Sequence, residues 1–359
     1  MTRAAWYTKR SAALRLPLMH NYASHMKLIY VGKEVWEEEF MRDKLHGVDL
    51  VFYQRALPQD AADPDAEALC VFVSSPVGVA EMDRFPKLKL ITTRSTGFDH
   101  IDRAEAARRG VAVASVPGYG APTVAEFAFA LILTLSRKIY DSYELVRSGV
   151  YKQDNLAGFD LAGKTIGIVG GGRIGAHAAR IAKGFGMTVL VCDPFPNESL
   201  AKEIGFAYVE LLELLGASDI ITLHAPYTKE THHLINKESI HSIKKGAFLI
   251  NTARGALVET DALVEALQNG ILAGAGLDVL EEEGALADEM HILNDPHPKE
   301  LELHTLLENH YLIEHPRVIV TPHVAFDTKE AVERILDTTA KNIQGFFAGK
   351  PQNLVAPDK

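Results

Sequence analysis

The chain has 359 residues, enough for about two domains of ordinary size. A formal net charge of −10 argues against a surface built for nucleic acid or for anionic lipid, although one buried arginine can still set the local potential for an anionic substrate. No apolar run approaches the roughly 20 residues of a membrane span. Cys70 and Cys192 lie in separate apolar runs, as expected of buried thiols in a reducing compartment rather than a metal or redox pair.

The first 26 residues carry Arg3, Lys9, Arg10 and Arg15, and the first acidic residue is Glu34. A basic, acid-free leader has the composition of an organelle transit peptide; it also suits upstream sequence ahead of a start at Met26. The expectation is a disordered leader without function and a cytoplasmic protein, with organelle targeting as the alternative. Strand-like runs follow at 28–31, 48–53, 68–73, 88–93 and 111–116. A second series lies at 165–170, 188–193, 219–224, 247–252, 274–279 and 318–323. Strands interleaved with helical patterns, without polar alternation, imply α/β units with parallel sheets covered on both faces. Between the series a helical stretch runs over 123–146. Its first half, VAEFAFALILTL, is apolar all round and must be buried on most sides, between domains or in a subunit interface. After His323 the run KEAVERILDTTAKNIQGFF has apolar residues at helical spacing.

Gly170, Gly172 and Gly175 form a GxGxxG pattern, weak by itself. Its setting strengthens it: the strand TIGIV leads in, an apolar helical pattern leads out, and Asp193 closes the next strand about 20 residues on. The first two glycines permit a tight turn and close approach of a pyrophosphate, and the third lets helix and strand pack closely. The helix N-terminus supplies free N–H groups and a positive dipole. Asp193 can accept hydrogen bonds from ribose hydroxyls and would repel a 2′-phosphate. No basic residue follows it in PFPNES, so NAD is expected rather than NADP.

Three ionisable residues stand at or just beyond strand ends, where open α/β sheets bind ligands. Arg254 follows AFLINT, Glu283 lies past GLDV, and His323 ends VIVTPH. Hydride transfer at C2 of a hydroxy acid needs a fixed cation for the carboxylate, best a bidentate guanidinium. It also needs a base for the hydroxyl proton and a carboxylate to orient that base. Arg254, His323 and Glu283 could fill these roles in that order. Singly, each has a plainer reading: a surface arginine, a solvated EEE run, a capping or core histidine.

With these motifs the sequence resembles the D-isomer-specific 2-hydroxyacid dehydrogenases, in particular their D-lactate dehydrogenase-like branch. The resemblance covers about 27–352. It is carried by STGFDHID, SVPGYGAPTVAEFA, GIVGGGRIG, HAPYTKETHHLI, LINTARGALV, GAGLDVLEEE and TPHVAF. It implies Arg254 as carboxylate anchor, Glu283 as acidic partner and His323 as acid/base. It implies Asp278 near the nicotinamide, and Thr123, Arg173, Ile174, Asp193, Ala225, Pro226, Thr231, Thr252 and Ala253 around the cofactor. The amides of Thr96 and Gly97 would help hold the substrate carboxylate, and Tyr119 would reach substrate.

The family fold is two flavodoxin/Rossmann-like domains with a cleft between them. This implies a substrate domain of 27–119 and 324–359, an NAD-binding domain of 120–323, and a homodimer. One departure is Gly284 after Glu283, where many relatives have Pro. The long segment 284–317 then carries His291, His297, His304, His310 and His315, dispersed as structural or solvated histidines would be rather than as a metal site. Phosphite dehydrogenases resemble the same triad, so the triad alone leaves another oxyanion substrate open. An NAD-binding corepressor-like scaffold is the alternative from a different class.

Overall fold

The computed structural model describes residues 26–283 and 300–356. The leader up to residue 25, His291 and His297 lie outside the described residues. The chain forms two units, one from the residues up to Tyr119 together with those from Lys329 onward, the other from Gly120–Thr328. The sequence reading puts the second crossing at 324.

In the first unit, β1 (Lys27–Gly32), β2 (Asp49–Gln54), β3 (Ala66–Val71), β4 (Leu90–Thr93) and β5 (Ala112–Ala114) pair in parallel in the order β2-β1-β3-β4-β5. This is a doubly wound, flavodoxin-like order. The run LIYV in β1 is apolar at every position because both its faces are covered. Leu28 and Tyr30 pack with Met41 and Leu45, of and just past α1 (Trp36–Lys44), and with Leu336 and Ile343 of the C-terminal helix Lys329–Phe347. Ile29 and Val31 pack on the other face with Met82 of α2 (Val79–Asp83), Phe85, and Ala106 of α3 (Arg103–Arg108). The C-terminal helix buries Ala331, Ile335, Leu336, Thr339, Ala340, Asn342 and Ile343, the single stripe expected from its spacing.

The second unit holds β6 (Thr165–Val169), β7 (Thr188–Cys192), β8 (Ala207–Tyr208), β9 (Ile220–Leu223), β10 (Ala247–Asn251), β11 (Leu272–Leu277) and β12 (Val318–Val320). All pair in parallel in the order β12-β11-β10-β9-β6-β7-β8. The order reverses between β6 and β9, which is where such a sheet binds a dinucleotide. The two-residue β8 is too short to announce itself in sequence.

The helical stretch over 123–146 is two helices rather than one. These are α4 (Ala121–Ser136) and α5 (Ile139–Arg147), separated by Lys138 in the left-handed region at φ 50°. Helix α4 is buried on most sides, as its composition leads one to expect. It buries Val124, Ala125, Ala128, Phe129, Leu131 and Ile132, whereas Glu126 and Ala130 are exposed. It lies close on β11: a Cβ added to Gly276 would stand 3.0 Å from Cβ of Leu131. Burial of each large side chain in that contact contributes roughly 1.5–3 kcal/mol. Helices α6 (Arg173–Gly184), α7 (Glu198–Ile204), α8 (Leu211–Ala217), α9 (Thr260–Gln268) and α10 (Glu300–Glu314) complete this unit, and Lys329–Phe347 is α11. Cys70 is buried and Cys192 half-buried, both free.

Candidate active site

The turn from β6 to α6 explains its three glycines. Gly170 has φ 97°, and a Cβ there would meet the amide nitrogen of Ala225 at 2.7 Å. The end of β6 therefore rests directly on the residues that follow β9. A Cβ on Gly175 would meet the carbonyl oxygen of Gly170 at 2.0 Å, so helix and strand approach as closely as backbone permits. A Cβ on Gly172 would meet nothing within 4 Å. The open space lies at the N-terminus of α6, which no side chain caps. Arg173 there is exposed, and Ile174 is half-buried.

Asp193, just past β7, is held by backbone amides. Oδ2 accepts from Gly171 N at 2.7 Å and Oδ1 from Phe195 N at 2.8 Å. Each oxygen keeps a lone pair for a further donor. The loop after Ala225 closes on itself through Thr231, whose hydroxyl donates to the carbonyl of Pro226 at 2.7 Å and accepts from Thr228 N. Thr252 is buried with a hydroxyl that has no partner among the described residues. Ala253 N donates to Asn251 Oδ1, and Thr123 is buried on α4. These groups fit a dinucleotide: an uncapped helix terminus beside a side-chain-free gap, an acid at the next strand end, and a spare buried hydroxyl.

Beyond the ends of β11 and β12 two of the candidate catalytic groups, Glu283 and His323, meet. Asp278 is buried and accepts from Thr321 Oγ1 (2.6 Å), Val324 N (2.9 Å) and Ala325 N (2.8 Å). Its carbonyl oxygen accepts from His323 N at 2.8 Å. Burial raises the Asp278 carboxyl above its usual range, opposed by those three donors. Asp278 therefore organises the turn that carries His323, which itself has φ 52°. His323 Nδ1 lies 2.7 Å from Glu283 Oε1. Arg254 follows β10; its Nη1 donates to the carbonyl of Ala253, and its own carbonyl accepts from Asn251 Nδ2. A Cβ on Gly255 would meet the carbonyl carbon of Leu280 at 2.0 Å, so the Arg254 turn lies back to back with the segment leading to Glu283.

In the first unit, Thr96 and Gly97 follow β4. Thr96 Oγ1 donates to the carbonyl of Val116, and Ser95 Oγ donates to that of Gly97. Tyr119 is half-buried, and its carbonyl accepts from Arg334 Nε.

Sequence reasoning singles out Glu283 in the EEE run but gives Glu281 no role, and each member behaves differently. Glu281 is hydrogen-bonded to His233 and Thr260, Glu282 is exposed at φ 52°, and Glu283 pairs with His323. It also does not associate His304 with Asp261 and Glu308, whose ligand atoms lie within 4.8 Å of one another. Lys237 Nζ stands 2.7 Å from Asp261 Oδ2 and already supplies a positive charge there. Burial and the Asp261 carboxylate raise Glu308, so this carboxyl holds its proton more firmly than usual.

Residues 129–325 match the family described as D-isomer specific 2-hydroxyacid dehydrogenase, NAD binding domain. The chain is 39% identical to the glyoxylate reductase of Korarchaeum cryptofilum, over 91% of this chain and 95% of that protein. It is 34% identical to the D-lactate dehydrogenase of Escherichia coli, over 92% and 100%. The crystal structure of the Aquifex aeolicus D-lactate dehydrogenase, complexed with NAD and lactic acid, superposes with a TM-score of 0.83. It is 37% identical and covers 92% of this chain and all of that one. The chain belongs to the D-isomer-specific 2-hydroxyacid dehydrogenase family. It is an NAD-dependent oxidoreductase acting on 2-hydroxy acids.

Proposed function

We propose that this enzyme reduces a small 2-oxo acid of the pyruvate class to the D-2-hydroxy acid, with Arg254, Glu283 and His323 as its working groups. The observation that carries the reading is the contact between His323 Nδ1 and Glu283 Oε1. A ring held at Nδ1 by a carboxylate is fixed in orientation and keeps Nε2 for exchange with substrate. Bound NADH supplies the hydride that substrate C2 receives. His323 gives a proton to the carbonyl oxygen, so the 2-oxo acid leaves as the hydroxy acid. In the reverse direction the neutral ring takes that proton back. Arg254 anchors the substrate carboxylate, helped by the amides of Thr96 and Gly97, with Tyr119 reaching the substrate.

Gly170, Gly172, Gly175, Arg173 and Ile174 would hold the cofactor pyrophosphate, and Asp193 the adenosine ribose. Ala225, Pro226, Thr231, Thr252, Ala253, Thr123 and Asp278 would line the remainder. In this reading the Gly120–Thr328 unit carries the cofactor.

The test is NADH oxidation with pyruvate, 2-oxobutyrate, phenylpyruvate, hydroxypyruvate and glyoxylate, beside Arg254→Ala and His323→Ala. Turnover that collapses in both variants supports the assignment. Protein that binds NADH but turns over none of these acids would overturn it and favour another oxyanion substrate or a scaffold role.

The enzyme is also read as a homodimer. Helix α5 has no buried residue, and Ile139, Tyr140, Tyr143 and Val146 on it are each more than half exposed. Their spacing of three and four places them on one face. A short helix gains its stability chiefly from packing an apolar face, and a contiguous apolar patch commonly marks an interface. A cytoplasmic location belongs to the same reading; among the described residues no helix is long and apolar enough to cross a membrane.

A further inference from the structure

Glu281 precedes Glu283 by two residues and commits both carboxylate oxygens to other parts of the fold. Oε1 accepts from His233 Nε2 at 2.6 Å. Oε2 accepts from Thr260 Oγ1 at 2.8 Å and from Thr260 N at 3.3 Å. Thr260 is the first residue of α9, and the positive end of that helix favours a carboxylate. The carbonyl oxygen of Glu281 accepts from Asn309 Nδ2 at 2.8 Å, a side chain buried on α10.

The same contacts reach the arginine turn. His233 N donates to the carbonyl of Ala256 at 2.9 Å, two residues past Arg254. Gly255 lies against the backbone of Leu280 and Glu281 with no room for a Cβ. Glu282, between the anchored Glu281 and Glu283, takes the left-handed φ of 52°. A non-glycine residue keeps that conformation where its surroundings hold it in place. The left-handed residue follows an anchored one and precedes the carboxylate that meets His323.

We propose that Glu281 is a positioning residue for the dehydrogenase reaction. Clamped by His233 and Thr260, it sets the direction from which Glu283 meets His323 and backs the turn that presents Arg254. This rests on the roles proposed above for Glu283 and Arg254.

The experiment measures kcat, KM and the pH profile of pyruvate reduction by the full chain. It compares the parent with Glu281→Gln, Glu281→Ala, Thr260→Val, Glu283→Gln and the Glu281→Ala/Glu283→Gln double variant, each with a thermal midpoint. Glu281→Ala is expected to lower kcat at least about tenfold, within the ~100-fold that a misplacement of about 1 Å can cost. It should also change the pH profile of turnover in the same way as Glu283→Gln, whichever way that variant moves it. Thr260→Val and Glu281→Gln should fall between it and the parent, and the double variant should be no slower than Glu283→Gln alone.

A lowered thermal midpoint with parental kcat and pH profile would overturn the proposal, as would fully additive losses in the double variant. If Glu281→Ala does not fold, Thr260→Val and Glu281→Gln decide by the same readings. If Glu283→Gln itself leaves kcat and the pH profile unchanged, the role of Glu283 fails and this proposal falls with it. If only the Glu281 and Thr260 variants are silent, this proposal alone is wrong.

Discussion

Oε1 of Glu283 and Nδ1 of His323 lie 2.7 Å apart although 40 residues separate them in sequence. The contact ties the ends of two neighbouring parallel strands and leaves Nε2 as the nitrogen free to act on substrate. His323→Gln retains a polar side chain of similar reach but no titrating ring. It is expected to lower kcat by about 10²–10⁴, the usual worth of a general acid or base. KM should change little, because carboxylate binding is assigned elsewhere. Steady-state kinetics with the best 2-oxo acid test this, and a KM-dominated effect would contradict the assignment.

Arg254→Lys separates charge from geometry. A lysine keeps the positive charge but loses the planar fork that can bind a carboxylate through two parallel hydrogen bonds. The loss of one charge-assisted bond, about 1.5–3 kcal/mol, is expected to lower kcat/KM roughly 10–100-fold. NADH affinity measured by fluorescence titration should be unchanged. A lysine variant with parental kcat/KM would mean that the guanidinium does not hold substrate.

Two glycines of one motif are expected to fail in opposite ways. Gly175→Ala drives a methyl group onto the Gly170 carbonyl, where the gap to a Cβ is 2.0 Å. The helix must shift, with a cost of about 1–3 kcal/mol or more, visible as a lower thermal midpoint. Gly172→Ala meets nothing within 4 Å, and its φ of −65° suits any L-residue. It should fold as the parent does and bind NADH more weakly. A Gly172→Ala protein with parental NADH affinity would place the pyrophosphate elsewhere.

The sheets were legible in sequence because both of their faces are covered. Leu28 and Ile29 point into different cores yet both must be apolar, so β1 reads as an unbroken run. The catalytic candidates were legible because each stands at or just past a strand end. Other features have no local signal. The break at Lys138 involves neither Gly nor Pro, so helical periodicity passes straight across it. The different fates of Glu281 and Glu283 depend on His233, Thr260 and His323, all distant in sequence. A run of three glutamates looks the same whether it is solvated or anchored.

The exposed stripe on α5 should determine the oligomeric state. Tyr143→Lys places a charge among Ile139, Tyr140 and Val146, where burial against a second copy would be costly. The variant is expected to sediment as a monomer at concentrations where the parent is a dimer, with far-ultraviolet circular dichroism unchanged. A monomeric parent, or a variant that remains a dimer with the parent's dissociation constant, would remove α5 from the interface.

His224, immediately before Ala225, should make stability depend on pH. Its Nδ1 is buried without a partner among the described residues, its Nε2 lies 3.1 Å from Thr222 Oγ1, and burial lowers its pKa from 6.5 to about 4. Between those values the unfolded chain binds a proton that the folded protein refuses, so stability rises with pH across that window. The contribution is fully present above about pH 6.5 and is lost progressively as pH falls from there to about 4. That loss amounts to roughly 3 kcal/mol. His224→Gln cannot titrate. Its stability measured by urea unfolding should therefore fall less than the parent's between pH 7 and pH 4.5, whatever its stability at neutral pH. Equal slopes for the two proteins would show that acid sensitivity arises from other groups.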